Sequence, residues 1–330
     1  MRRTEGRIVI APNWIGDAVM SLPVLRALRR ARPEDSLTVL AKKGPAAIYR
    51  AEASADRVVL RGGFFADARA LAGLRPREVW LLPNSLRAGL LAFLSGAPER
   101  IGYDTDGRGG LLTHTQLPPP SVEHQLRDYD ALLDSRGIAP DRDPPRLPLP
   151  AEATSRASRA LEAAGIGAEK PLALLAPGAA FAWTKRWSPD RFGTLADRLA
   201  ERGFSAGVVI GPGERGLAEA VKAGAKHPLA VLGEDLDPVE LAALLARARL
   251  VFANDSGPMH LAAAVGTPVV AFFGPTDPGR TSPTGSRSRI LDRYVFCSPC
   301  FLKDCPYNHE CLREITVVDA LRAADELLLS

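Results

Sequence analysis

Asp17 lies in Asn13-Trp-Ile-Gly-Asp17, between the apolar run Arg7–Ala11 and a helical stretch that begins at Ala18. An apolar run ending in a glycine-bearing turn is how a parallel α/β sheet presents a loop at the carboxyl edge of its strands, where ligands bind. At a helix start, backbone N–H groups and the dipole favour an ionised carboxylate. Asp17 is therefore placed either to remove a proton from a ligand hydroxyl or to cap the helix. Three loops of the second half carry related chemistry. Pro177-Gly-Ala-Ala-Phe-Ala-Trp-Thr-Lys-Arg-Trp187 sets Lys185 and Arg186 before a helix. Cations beside a helix N-terminus suit phosphate, and a solvated basic turn is the alternative. Asn254-Asp-Ser-Gly-Pro-Met-His260 follows a strand and opens a helix. There Ser256 and nearby N–H groups suit an anion, Asp255 suits the hydroxyls of a sugar, and His260 can donate to a phosphate. A structural cap is the alternative.

The third loop, Gly211-Pro-Gly-Glu-Arg-Gly216, is a literal G-x-G-x-x-G with acidic residues Glu234 and Asp235 further on. Taken at face value it is the dinucleotide fingerprint, and a nicotinamide-dependent oxidoreductase follows as an alternative function. It follows the second strand of its half rather than the first, a proline sits inside the turn, and no hydride-transfer site accompanies it. Glu214 within it is still placed to accept hydrogen bonds from a ribose.

Cys297, Cys300, Cys305 and Cys311 form a C-x2-C-x4-C-x5-C run with His309 close by. Four thiols at this spacing are enough for one tetrahedral zinc, although paired C-x2-C knuckles are missing. Free buried thiols are the alternative, and disulfides are not expected in a reducing cytosol. Asp104-Thr-Asp106 has the D-x-D form of some metal-dependent sugar transferases, but its glycine-rich surroundings read as a turn.

These loops need strands to carry them. Short apolar runs at Arg7–Ala11, Leu37–Ala41, Arg57–Leu60 and Glu78–Leu82 predict strands, with helices over Ala18–Ala31, Ser85–Leu94 and Glu123–Arg136. Residues 140–150 hold five prolines and read as a semi-rigid linker. Alternation then restarts. Strands are expected at Leu172–Ala176, Ser205–Ile210, Leu229–Leu232, Leu250–Ala253 and Pro268–Phe273. Helices are expected at Ala151–Ala164, Pro189–Arg202, Arg215–Ala225, Asp237–Ala248 and Pro258–Val265. Such alternation indicates α/β architecture with parallel sheets covered on both faces. The expectation is two Rossmann-like domains, 1–150 and 151–330, facing across a cleft.

The 330 residues carry a net charge of +4, which suits an anionic ligand or membrane surface and is too weak to indicate nucleic acid. No run of apolar residues is long enough to span a bilayer, and the N-terminus lacks a signal-peptide core. A cytoplasmic protein is expected. Arg2, Arg3 and Arg7 are either an anion-holding cluster or plain solvated charges.

Four segments together resemble the lipopolysaccharide heptosyltransferases, glycosyltransferase family 9. They are Asn13–Met20, Pro177–Ala179 with Thr184–Trp187, Asn254–Leu261, and Phe273–Pro278 with Arg280–Pro283; the Cys297–Cys300 stretch is similar as well. The resemblance covers nearly the whole chain, in order. It implies a GT-B fold with the acceptor on the N-terminal domain and the sugar nucleotide on the C-terminal one. It implies an inverting transfer of heptose from ADP-heptose to the first heptose of a heptosyl-Kdo-lipid A acceptor, with no required metal. Transfer of the first heptose, or use of another nucleotide sugar, is the alternative within the family. On this resemblance Asp17 is the base and Lys185 a pyrophosphate ligand. Asp255 contacts the heptose, Ser256, Gly257 and His260 form the phosphate loop, and Glu214 is a ribose ligand. It also implies that a last helix, Val317–Leu329, crosses back to the first domain, and that the protein attaches peripherally to the cytoplasmic face of the inner membrane.

Overall fold

The computed structural model describes residues 6–120, 123–285 and 287–329. Contacts divide the chain into two units, Met1–Leu147 and Pro148–Ser330, parted inside the proline-rich stretch.

In the first unit β1 (Arg7–Ile10) leads to α1 (Ile15–Met20), α2 (Leu22–Ala31), β2 (Leu37–Ala41), α3 (Lys43–Glu52) and β3 (Arg57–Leu60). Then come α4 (Phe64–Leu74), β4 (Glu78–Leu81), α5 (Leu86–Leu94), β5 (Glu99–Tyr103), β6 (His114–Gln116) and α6 (Gln125–Asp134). The strands form one parallel sheet in the order β3-β2-β1-β4-β5-β6. β1, β2 and β4 are buried throughout, which is why they read as apolar runs broken only by Arg7, Thr38 and Glu78.

The second unit repeats the plan. It contains α7 (Ala151–Ala163), β7 (Leu172–Ala176), α8 (Pro189–Glu201), β8 (Ser205–Val209), α9 (Arg215–Ala223), β9 (Ala230–Leu232) and α10 (Pro238–Leu245). β10 (Leu250–Asn254), α11 (Gly257–Ala264), β11 (Val269–Phe272), α12 (Pro278–Thr281), β12 (Ser288–Leu291), α13 (Glu310–Arg313) and α14 (Val317–Leu329) follow. Its parallel order is β12-β11-β10-β7-β8-β9. Both sheets have the doubly wound order in which succession reverses between the first and fourth strand. In such sheets ligands bind outside the carboxyl ends of those two strands. The relevant loops are therefore those after β1 and β4, and those after β7 and β10.

The core of the second unit is organised by Trp187, which stacks on Phe272 with ring centroids 4.3 Å apart and meets Phe192 edge-on. Its indole donates to the Ile315 carbonyl at 2.9 Å, tying the chain before α14 to the start of α8. Helix α14 packs on α8, β11 and β12 of its own unit. α8 and α9 approach so closely that a Cβ on Gly193 would lie 2.5 Å from the backbone of Val221 and Gly224.

Several elements differ from the expected pattern. The helix expected over Ala18–Ala31 breaks at Ser21, whose hydroxyl bonds back to the Ala18 carbonyl and pairs with the Tyr49 hydroxyl. Pro23, in the first turn of α2, needs no N–H there. β5, β6, β12, α3 and α4 were not expected. β6 is three polar residues and β12 is half-buried, so neither shows an apolar run. Arg7 is not a surface charge. It is 1% exposed and its guanidinium donates to the Leu28 and Arg32 carbonyls at 2.6 and 2.8 Å. Arg2 and Arg3 lie outside the described residues.

Asp197 on α8 fixes the chain after α9 by accepting the Lys226 and His227 N–H groups and the His227 ring. Burial alone would raise this carboxyl, but those donors outweigh it and hold it below the usual range. A depressed native pKa adds stability that is complete above the unfolded pKa, near 4, and is lost as pH falls through the native one. Thermal melts of the wild type and Asp197→Asn are therefore expected to differ most at neutral pH and to converge in acid. A constant difference down to low pH would contradict this.

Candidate active site

Asp17 stands in the first turn of α1, on the loop after β1. Gln125 on α6 donates its side-chain amide to Asp17 Oδ1 at 3.3 Å and to the Tyr129 hydroxyl at 3.2 Å. Burial first, and the Asp17 charge second, raise the Tyr129 phenol well above its usual value. Tyr129 therefore stays neutral and acts only through hydrogen bonds. At the same edge Arg61 donates to the Asn13 side chain at 2.7 Å, and Arg87 pairs with Asp67 at 3.0 Å. None of Gln125, Tyr129, Arg61 and Arg87 was singled out from the sequence. Nothing in their local spacing marks them, because only the sheet topology brings them to the β1 edge.

In the second unit the loops after β7 and β10 meet. Lys185 Nζ lies 2.6 Å from Asp255 Oδ2, and the Thr276 hydroxyl donates to the same oxygen at 2.7 Å. Both members are largely buried, with side chains 13% and 6% exposed. Asn254, fully buried, closes the pair of loops. Its Oδ1 accepts the Trp187 N–H at 2.9 Å and its Nδ2 donates to the Pro177 carbonyl at 2.7 Å. The sequence motif contains Asn254, but this clamp was not legible there, since both partners are backbone groups far along the chain. Ser256 precedes α11 and bonds its hydroxyl to the Asn254 carbonyl, so it does not cap the helix with its side chain. Gly257 opens α11, and His260 is buried within it.

Glu214 joins this edge from the loop after β8. Its Oε2 accepts the Gly211 N–H at 2.8 Å, and a Cβ on Gly178 would lie 2.5 Å from that oxygen. A side chain at Gly178 would therefore displace the Glu214 carboxylate from its place beside the Lys185 loop. The G-x-G-x-x-G turn itself follows β8, one strand away from the reversal point, which removes the usual geometry of a dinucleotide fingerprint.

The cysteine segment backs the same loops. The His309 ring donates to the Thr184 carbonyl, and the Thr184 hydroxyl donates to the Leu302 carbonyl at 2.7 Å. The Cys300 and Phe301 N–H groups both reach the Pro275 carbonyl, beside Thr276. All four cysteines line one pocket and none is disulfide-bonded. Burial pushes the Cys311 thiol up to about 11, with the neighbouring thiols adding to it. Among the described residues, no three His, Cys, Asp or Glu side chains converge in a metal-holding arrangement. Asp106 of the D-x-D run accepts the Leu86 N–H at 2.6 Å, a turn role at the start of α5.

The family model for glycosyltransferase family 9 (heptosyltransferase) matches residues 69–310. The chain belongs to glycosyltransferase family 9. Lipopolysaccharide heptosyltransferase 2 of Salmonella typhimurium is 28% identical to this family 9 chain over 304 residues, 86% of the chain and 87% of that protein. Lipooligosaccharide heptosyltransferase 2 of Haemophilus influenzae is 26% identical over 342 residues, 97% and 99% of the two. The solved structure of E. coli ADP-heptose lps heptosyltransferase II matches with a TM-score of 0.85 at 23% identity, covering 98% of both chains. The expected GT-B class, two Rossmann-like parallel sheets, is thus the fold of this glycosyltransferase.

Proposed function

We propose that this family 9 enzyme moves L-glycero-D-manno-heptose from ADP-heptose to the first heptose of the lipopolysaccharide inner core, a heptosyl-Kdo-lipid A. The observation that carries the reading is the position of the family segments on the loops after β1, β7 and β10, at the reversal points of both sheets. The relatives named lipopolysaccharide and lipooligosaccharide heptosyltransferase 2 support heptosyl transfer in this pathway, and the solved ADP-heptose lps heptosyltransferase II supports the donor.

The chemistry divides between the units. An acceptor hydroxyl is a poor nucleophile until its proton is removed in the transition state. Asp17 takes that proton, with Gln125 fixing its Oδ1. The heptose passes through an oxocarbenium-like state as in inverting glycosidases. Negative charge grows on the departing diphosphate, and Lys185 with the N–H groups at Ser256 and Gly257 stabilises it. Asp255 holds Lys185 and faces the sugar, His260 donates to a phosphate, and Glu214 accepts from the ribose. Arg61 and Arg87 place cations at the Asp17 edge, where they suit an acidic acceptor core. No metal is part of this scheme. Zinc on Cys297, Cys300, Cys305 and Cys311 is a separate proposal, supported by their spacing and shared pocket, while among the described residues no three such side chains form a metal-holding group. One zinc per chain by elemental analysis would establish it, and none would remove it.

A thermal-shift panel tests the donor reading. ADP and ADP-heptose are expected to raise the melting temperature by several degrees at a hundredfold excess over Kd, and UDP and NADH are expected to leave it unchanged. Stabilisation by NADH beyond that by ADP would overturn the reading.

A further inference from the structure

Helix α5 is apolar on both of its faces. Ala88, Gly89, Leu91 and Ala92 are buried against the sheet. On the opposite side Leu86, Leu90, Phe93 and Leu94 are exposed, Phe93 and Leu94 by 51% and 47%. These four positions follow the i, i+4, i+7, i+8 spacing of a single helical stripe. A helix apolar all round belongs in a core or against a membrane, and a water-facing stripe of this kind marks an interaction surface.

The surroundings of the stripe select its occupant. The Arg100 guanidinium lies 5.6 Å from the Phe93 ring centre, and the Arg87 guanidinium 5.3 Å from that of Phe64. Phe64 in turn contacts Phe65, which is 84% exposed at the start of neighbouring α4. Arg69, also exposed, lies one turn after Phe65 on the same face. Exposed leucine and phenylalanine bordered by arginine are the composition of a surface that inserts its rings among lipid chains and its cations among anionic headgroups. Asp67, the acidic partner of Arg87, is buried, and Asp106 is engaged with the first N–H of α5. The stripe begins at Leu86, the first residue of α5, directly after the loop that follows β4 at the same carboxyl edge as Asp17.

We infer that the exposed face of α5, with Phe65 and Arg100, docks on a bilayer that carries anionic phospholipid. The inference deepens the proposed function, because it presents the Asp17 edge to an acceptor anchored by acyl chains.

The test is sedimentation with vesicles of phosphatidylethanolamine and phosphatidylglycerol, compared with vesicles of phosphatidylcholine alone. The wild type is expected to pellet with the anionic vesicles and to be released by salt. Leu90→Glu with Phe93→Glu should reduce partitioning at least tenfold without altering the melting temperature. Phe65→Ser is a second, milder variant that should reduce it several-fold. With a water-soluble acceptor lacking acyl chains, both variants should keep wild-type turnover. Wild-type protein that stays in the supernatant, or variants that pellet as the wild type does, would overturn the docking face. A dimer in light scattering that the glutamates dissociate, without vesicle binding, would assign the stripe to a second copy and overturn it too. Failure of transfer to the soluble acceptor in every protein would count against the proposed reaction, leaving the vesicle result to judge the docking face alone.

Discussion

Replacing Asp17 by asparagine is expected to lower heptosyl transfer by roughly a hundred- to ten-thousand-fold, the range that a positioned general base supplies. Asparagine has nearly the same shape and can still accept the Gln125 amide, so the fold and the neighbouring Tyr129 contact should persist. What it lacks is the ability to take the acceptor proton. The loss should therefore fall on kcat, while the ADP-induced thermal shift stays at its wild-type size, since that ligand is assigned to the other unit. Turnover within a few-fold of wild type would remove Asp17 as the base. Loss of ADP binding together with turnover would instead point to a structural role for Asp17.

The second large effect is expected at Lys185. Removing a hydrogen bond to a charged group costs about 1.5–3 kcal/mol, so Lys185→Ala should weaken ADP roughly ten- to hundredfold. The change also strands Asp255, which is 5% exposed and whose carboxylate then keeps the Thr276 hydroxyl as its hydrogen-bond donor among the described residues. Breaking a buried ion pair by removing one member is destabilising. Lys185→Ala is therefore expected to melt earlier than wild type, and Asp255→Asn in the same chain should restore part of the melting temperature. It should not restore ADP affinity, because the cation is still missing. A double-mutant cycle separates the two effects. Unchanged ADP affinity in Lys185→Ala would contradict the diphosphate role, and an unchanged melting temperature would contradict the burial argument.

Much of this was legible in the sequence because parallel strands buried on both faces appear as uninterrupted apolar runs. Leu172–Ala176 and, apart from Thr38, Leu37–Ala41 have the expected bounds for that reason. Elements at the sheet edges were less visible. His114–Gln116 is short and polar, and Ser288–Leu291 is only half-buried, so neither carries the signal. The motif loops were found because glycine, proline and charge cluster in them. The residues that hold those loops were not found. Asn254 acts on Pro177 and Trp187. Gln125 acts on Asp17, more than a hundred positions away. Such pairings are set by strand order, which a single sequence does not state. Arg7 shows the reverse error: a cation near the chain start reads as surface until α2 is seen to fold its carbonyls over it.

The most direct test of the central claim is a transfer assay with purified protein, ADP-heptose and heptosyl-Kdo-lipid A, read by mass spectrometry. The account predicts an acceptor heavier by one heptose residue, with ADP released in equal amount, and neither product when UDP-linked sugars replace the donor. An unmodified acceptor, alongside efficient transfer to Kdo-lipid A lacking heptose or from another nucleotide sugar, would contradict it.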